Sequence, residues 1–190
     1  MRMHERLAQG DICGTCGYRY EPIRRADAMA ALLDLPAAYR AALDAPTDQV
    51  CTQVDHDGWT AIEYAAHAAE VLHSTRKRLV LVFERDDREV SIPHLDAVRA
   101  SARTAQPEVV LAAVTAACRD LARLVGVTPD AAWERTARHD GDVVTARDLL
   151  TDALHEAHHH ALDARAASGA AGMAAPGMST VGTPPLLAPA

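Results

Sequence analysis

The chain has 190 residues, 49% of them hydrophobic and only 4% aromatic, and a formal net charge of -7. That is enough for one domain whose core is built from Ala, Leu and Val, a mixture that favours helices. An acidic chain with few stacking rings is a poor nucleic-acid binder. Its longest strongly apolar run, "LVLVF" from Leu79 to Phe83, is far too short to cross a bilayer.

The N-terminus "MRMHERLAQGD" lacks the apolar stretch of a signal peptide, so a cytoplasmic location is expected. Cys13, Cys16, Cys51 and Cys118 then read as thiols or metal ligands rather than disulfides. Residues 1–24 form a separate small element around "CGTCGYRY". From Ala26 to Leu43 the pattern is helical, with Pro36 marking a kink or an early break. Residues 44–58 read as loop. The longest helix candidate follows, starting at Thr60 as N-cap. Glu63 completes a capping box, and Trp59 and Tyr64 are placed to pack as a hydrophobic staple.

Residues 86–105 read as a long polar connection. Pro107 stands where a first helical residue would, and Gly126 is placed to end the helix it opens. Residues 127–142 read as loop around Trp133. Thr145 with Asp148 opens a last helix that runs to about Ala167. No strand is evident. The expected fold is all-α, a four-helix bundle with an N-terminal knuckle. The long crossover between helices two and three allows them to run parallel, giving an up-down-down-up order. The expected divisions are a knuckle (1–24), a bundle (25–167) and a disordered, Gly- and Pro-rich tail (168–190).

The last helix carries His155, His158, His159 and His160. Residues four apart share a helix face, so His155 and His159 read either as a two-ligand clamp for a transition metal or as part of a solvated polar stripe, while His158 and His160 point elsewhere. His67 offers a third ligand. It lies about 10 Å into its helix, and His159 lies about 12 Å from the end of its own. Run antiparallel, the two helices bring these residues to one depth. Three imidazoles leave an open coordination position, which marks a catalytic rather than a structural site. Asp163, one turn beyond His159, and Glu63, one turn before His67, are candidates for a supporting carboxylate or for proton transfer, though Glu63 also reads simply as a cap.

The spaced residues Trp59, Glu63 and His67, followed by His155, Glu156, His158, His159 and Asp163, resemble the DinB-like (DinB/YfiT-like) superfamily of four-helix-bundle metalloproteins. The resemblance spans about residues 25–167, and "CGTCG" is similar to a branch with an N-terminal Cys-x-x-Cys-Gly segment. It implies an up-down-down-up bundle with a divalent metal on His67, His155 and His159. Zinc is favoured, with nickel or iron compatible. It also implies a low-molecular-weight thiol as co-substrate, since relatives include bacillithiol- and mycothiol-dependent S-transferases and a mycothiol-dependent isomerase. The expected activity is thiol transfer to an electrophilic small molecule. The alternatives are a metal-dependent isomerase, cyclase or hydrolase, or a non-catalytic, stress-induced metal-binding or regulatory bundle. A small-molecule substrate and a homodimer are the expected partners, with no nucleic acid or membrane.

Cys13 and Cys16 have the spacing of a zinc knuckle. They read as a second, structural zinc site with distant ligands, as a redox pair, or as a flap that reaches the histidine metal. His4, Cys51 and His94 are the candidate completing ligands. Cys118 reads as a core thiol. The segment 169–190 has too little apolar periodicity to join a core. Its deletion is therefore expected to leave the melting temperature and metal content unchanged. A drop of more than a few degrees in a thermal melt would show instead that it docks.

Overall fold

The computed structural model of the chain describes residues 11–55, 57–90, 96–139 and 141–169. His4, His94 and the tail from Ala170 onward lie outside the described residues. Four long helices form the body: α1 (Arg25–Leu43), α3 (Ala61–Glu84), α5 (Pro107–Val127) and α6 (Ala146–Ala167). Two short helices, α2 (Thr47–Thr52) and α4 (Asp96–Ala102), sit in the stretches that read as loops.

Helix α1 packs on α5 and α6, and so does α3, which leaves α1 and α3 diagonal. Side-chain contacts give the directions. Arg25, at the start of α1, donates to Thr128 O just past the end of α5, so these two run antiparallel. Ile23 N, just before α1, donates to Thr151 Oγ1 in the first half of α6, and Tyr39 further along α1 donates to Ala157 O further along α6, so these two are parallel. Glu63 near the start of α3 meets Arg103 just ahead of α5, so α3 and α5 are parallel. The order is up-down-down-up, with the crossover between α3 and α5.

The core matches the composition. Leu32, Leu72, Leu121, Leu150 and Leu154 are buried among alanines. On α6 the buried Ala153, Ala157, Ala161 and Ala164 make a small-residue stripe at helical spacing. The pocketed Tyr39 hydroxyl donates to Ala157 O at 2.7 Å across it.

Several local readings differ. Pro36 does not break α1, which is continuous through it. Gly126 does not end α5 but lies inside it, beside Met29, and the helix stops before Thr128 and Pro129. A three-stranded sheet of β1 (Arg88–Glu89), β2 (Thr136–His139) and β3 (Asp142–Thr145) lies where loops were expected, with β1 parallel and β3 antiparallel to β2. The sequence held a signal for it: Asp140-Gly141 between two short runs is a tight-hairpin dipeptide, and Gly141 has φ of +84°.

Both expected N-caps close as reciprocal boxes. Thr60 Oγ1 accepts from Glu63 N while Glu63 Oε2 accepts from Thr60 N at 2.8 Å, and Thr145 with Asp148 repeats the pattern. Glu63 is fully buried, and its other oxygen accepts from Arg99 Nε at 2.8 Å and Arg103 Nε at 2.9 Å. It thereby ties the crossover to the start of α3. Burial alone would raise its pKa, but Thr60 and the two guanidinium groups outweigh this and lower it. Such a carboxylate stabilises the fold above its unfolded pKa of about 4.3, and that stabilisation is lost as pH falls through the lower folded value. Glu63→Gln is expected to cost about 2 kcal/mol at neutral pH, typical for hydrogen bonds to a charged group. Urea titrations of both proteins should show the gap narrowing as pH drops below about 4.

Candidate metal centres

Residues 11–20 fold into a knuckle. Ile12 bridges to Arg19, Cys13 N donates to Tyr18 O at 2.8 Å, and Gly17 N donates to Cys13 O at 2.8 Å. Gly17 sits at φ of +71°, a conformation that glycine adopts without strain. The knuckle lies on α6. Tyr18 donates to Thr151 O, and its ring is 5.2 Å from that of His155 and 6.2 Å from that of His158. Tyr20 is buried, with its hydroxyl oxygen 2.5 Å from His155 Nδ1. The knuckle thus lies against the His155 and His158 side of α6.

The expected trio does not share one cluster. His155 and His159 converge with Cys13 and Cys16, whereas His67 converges with Glu156 and His160; within each set the candidate ligand atoms lie within 4.8 Å of one another. The reason is rotational. A helix turns about 100° per residue, so the pairs 155/159 and 156/160 have the same i, i+4 spacing on neighbouring faces. The 155/159 face meets the knuckle, and the 156/160 face meets α3.

In the first set, Cys13 Sγ is 3.5 Å from His159 Nδ1. Burial pushes the Cys13 thiol up, but hydrogen bonding from the Cys16 and Thr15 backbone, the Cys16 thiol and His159 brings it down to about 7. Burial and the neighbouring Cys13 push Cys16 up to about 11. His158 belongs to neither set. Burial lowers its pKa, against a hydrogen bond with the Cys16 backbone that raises it. Cys51 lies in α2 and Cys118 is a buried thiol of α5, which burial pushes up to about 12.

In the second set, Glu156 Oε2 is 3.3 Å from His160 Nε2 and 3.8 Å from His67 Nε2. Hydrogen bonds to His160 and then His67 hold the Glu156 carboxyl far below the usual range. Burial would lower His160, but Glu156 and Asp163 raise it overall. His67 Nδ1 is buried without a hydrogen-bond partner. The opposite ring nitrogen, Nε2, faces Glu156, and His67, Glu156 and His160 together make a donor set that fits a metal. Trp59 and Tyr64 stack with ring centroids 5.1 Å apart and wall this centre, Trp59 lying 5.4 Å from His67 and Tyr64 5.1 Å from His160.

Asp163 lies between the two sets. Its Oδ2 is 3.0 Å from His160 Nδ1 and 3.5 Å from His159 Nε2. Glu63, by contrast, is committed to its cap and to Arg99 and Arg103. It touches the centre only indirectly, through Arg99, whose guanidinium lies 4.5 Å over the Trp59 ring. Cys13, Tyr20, His155, Glu156, His159 and His160 all line one cavity of about 470 Å³. Another, of about 500 Å³ near Phe83 and Arg135, contains no group of metal-ligating side chains.

Among the described residues, no helix is long and apolar enough to cross a membrane. No curated protein matches the sequence. The solved structure of YfiT from Bacillus subtilis is described as a probable metal-dependent hydrolase with an unusual four-helix bundle topology. It matches with a TM-score of 0.70 at 21% identity, over 79% of this chain and 89% of that one. At that identity the likeness shows the fold alone. The sequence model of the DinB superfamily matches residues 31–164, from the second turn of α1 to the last turn of α6. That stretch holds most of α1 and α6, all of α3 and α5, and His67, His155, Glu156, His159 and His160, and the chain belongs to the DinB superfamily.

Proposed function

We propose that the chain is a metal-dependent enzyme whose open metal centre is His67, Glu156 and His160. The observation that carries this reading is the convergence of two imidazoles and one carboxylate, whose candidate ligand atoms lie within 4.8 Å of one another. Three protein ligands of this kind leave coordination positions for a substrate, and the set suits zinc or iron. When bound, such a metal lowers the pKa of a thiol or water in its open position and so supplies a nucleophile near neutral pH.

The surrounding residues have separable tasks. Asp163 accepts from His160 Nδ1, which orients the ring and turns Nε2 toward Glu156 and His67. Trp59 and Tyr64 narrow the approach, and the Tyr64 hydroxyl is anchored by donation to Asp55 Oδ2 at 2.6 Å. The co-substrate in this reading is a low-molecular-weight thiol added to an electrophilic small molecule. Its support is the superfamily's membership together with the resemblance in the histidine motif. A second reading is hydrolysis by activated water, favoured by the description of the structurally similar Bacillus protein.

His67→Ala and His160→Ala are each expected to abolish turnover while leaving the far-ultraviolet circular dichroism of the bundle unchanged. Retained turnover in His160→Ala would return the catalytic metal to the His67, His155 and His159 set. Asp163→Asn is expected to weaken metal affinity by roughly 10- to 100-fold, measured by competition with a chromogenic chelator.

A thiol panel against a chlorinated aromatic electrophile separates the two chemistries. Thiol consumption is expected to continue well below pH 8.5, about where a free thiol ionises. With the metal bound, ester or amide cleavage without thiol consumption would select the hydrolase instead.

A further inference from the structure

A metal at His67, Glu156 and His160 leaves His155, His159, Cys13 and Cys16 without a role. We propose that these four side chains form a second, closed metal site of the Cys2His2 type, filled by zinc, that latches the N-terminal knuckle onto α6.

The donor set itself points to the ion. Two thiols and two imidazoles are a structural zinc set, and four protein ligands leave no position for substrate. Dimensions agree. With Zn–S near 2.3 Å and Zn–N near 2.0 Å, a tetrahedron has edges of roughly 3.3–3.8 Å. Cys13 Sγ to His159 Nδ1 is 3.5 Å, and all four donor atoms lie within 4.8 Å of one another.

Each half of the site is set by local structure. The knuckle turn presents the two cysteines, and the i, i+4 spacing on α6 presents the two histidines. The histidines also have outer partners: Asp163 Oδ2 is 3.5 Å from His159 Nε2, and the buried Tyr20 hydroxyl contacts His155. Ligating histidines ordinarily have such partners, which fix ring orientation. Binding releases the two thiol protons to solvent, and no redox step is involved. The ion stabilises the knuckle as a cover over the cavity that also contains Glu156 and His160.

The test uses the full chain purified without chelator. Elemental analysis is expected to find two metal equivalents per chain. Cobalt(II) substitution is expected to give the intense visible bands and near-ultraviolet thiolate-to-cobalt charge transfer of a tetrahedral site with two thiolates. Cys13→Ser with Cys16→Ser should lose that charge transfer and one equivalent. His67→Ala should lose the other equivalent and keep the charge transfer. In the unmutated protein, Cys13 and Cys16 should react with a thiol reagent only after a strong chelator is added, a readout independent of how the variants fold. A cobalt spectrum without thiolate bands, thiols that react equally fast with and without chelator, or a double serine variant with full metal content would each overturn the site. Loss of turnover in His67→Ala, with the charge transfer intact, concerns only the open centre.

Discussion

A single helix, α6, contributes two pairs of side chains capable of ligating a metal, one residue out of step with each other. His155 with His159 and Glu156 with His160 have the same spacing, so the helix cannot offer both pairs to one point. It offers one pair to each of two neighbours, and everything else in the fold determines which neighbour meets which pair. A rotation of α6 by one residue, about 100°, would exchange the two faces and dismantle both clusters.

That rotation is fixed by packing. The buried alanine stripe on α6 lets the helices approach closely, and small residues leave little slack for a turn about the helix axis. Tyr39 adds a directional lock by donating to Ala157 O, which lies between the two members of each ligand pair in sequence. On the other side α3 must present His67 at the right depth. Its start is set by the Thr60–Glu63 box, and Glu63 is held in turn by Arg99 and Arg103. Arg99 also covers Trp59 and donates to Gly58 O, so the helix cap and the aromatic wall of the open centre are one connected unit. Glu63 thus matters to the centre through position, four residues and one helix turn away from His67.

Much of this was legible in the sequence because it is local. Thr60 with Glu63 and Thr145 with Asp148 signalled their helix starts, and the crossover length allowed the parallel pair. The His motif carried the family. What was not legible depended on contacts across the chain. Nothing near Cys13 indicates that its partner is His159, which is 146 residues away. His160 pairs at i, i+4 with a carboxylate, Glu156, so a pattern of histidines alone does not single it out. Similarly, Asp140-Gly141 marked the hairpin, but two four-residue strands are too short to show alternation above the helical background.

Asp163 gives the arrangement its last constraint. One carboxylate oxygen faces a ring nitrogen of His160 at 3.0 Å and of His159 at 3.5 Å, so it orients a member of each cluster at once. The two rings are 5.8 Å apart and perpendicular, which a shared acceptor between them can satisfy only in a narrow range of side-chain rotations. His159, His160 and Asp163, in adjacent turns of α6, thus bring one histidine of each cluster to a single carboxylate.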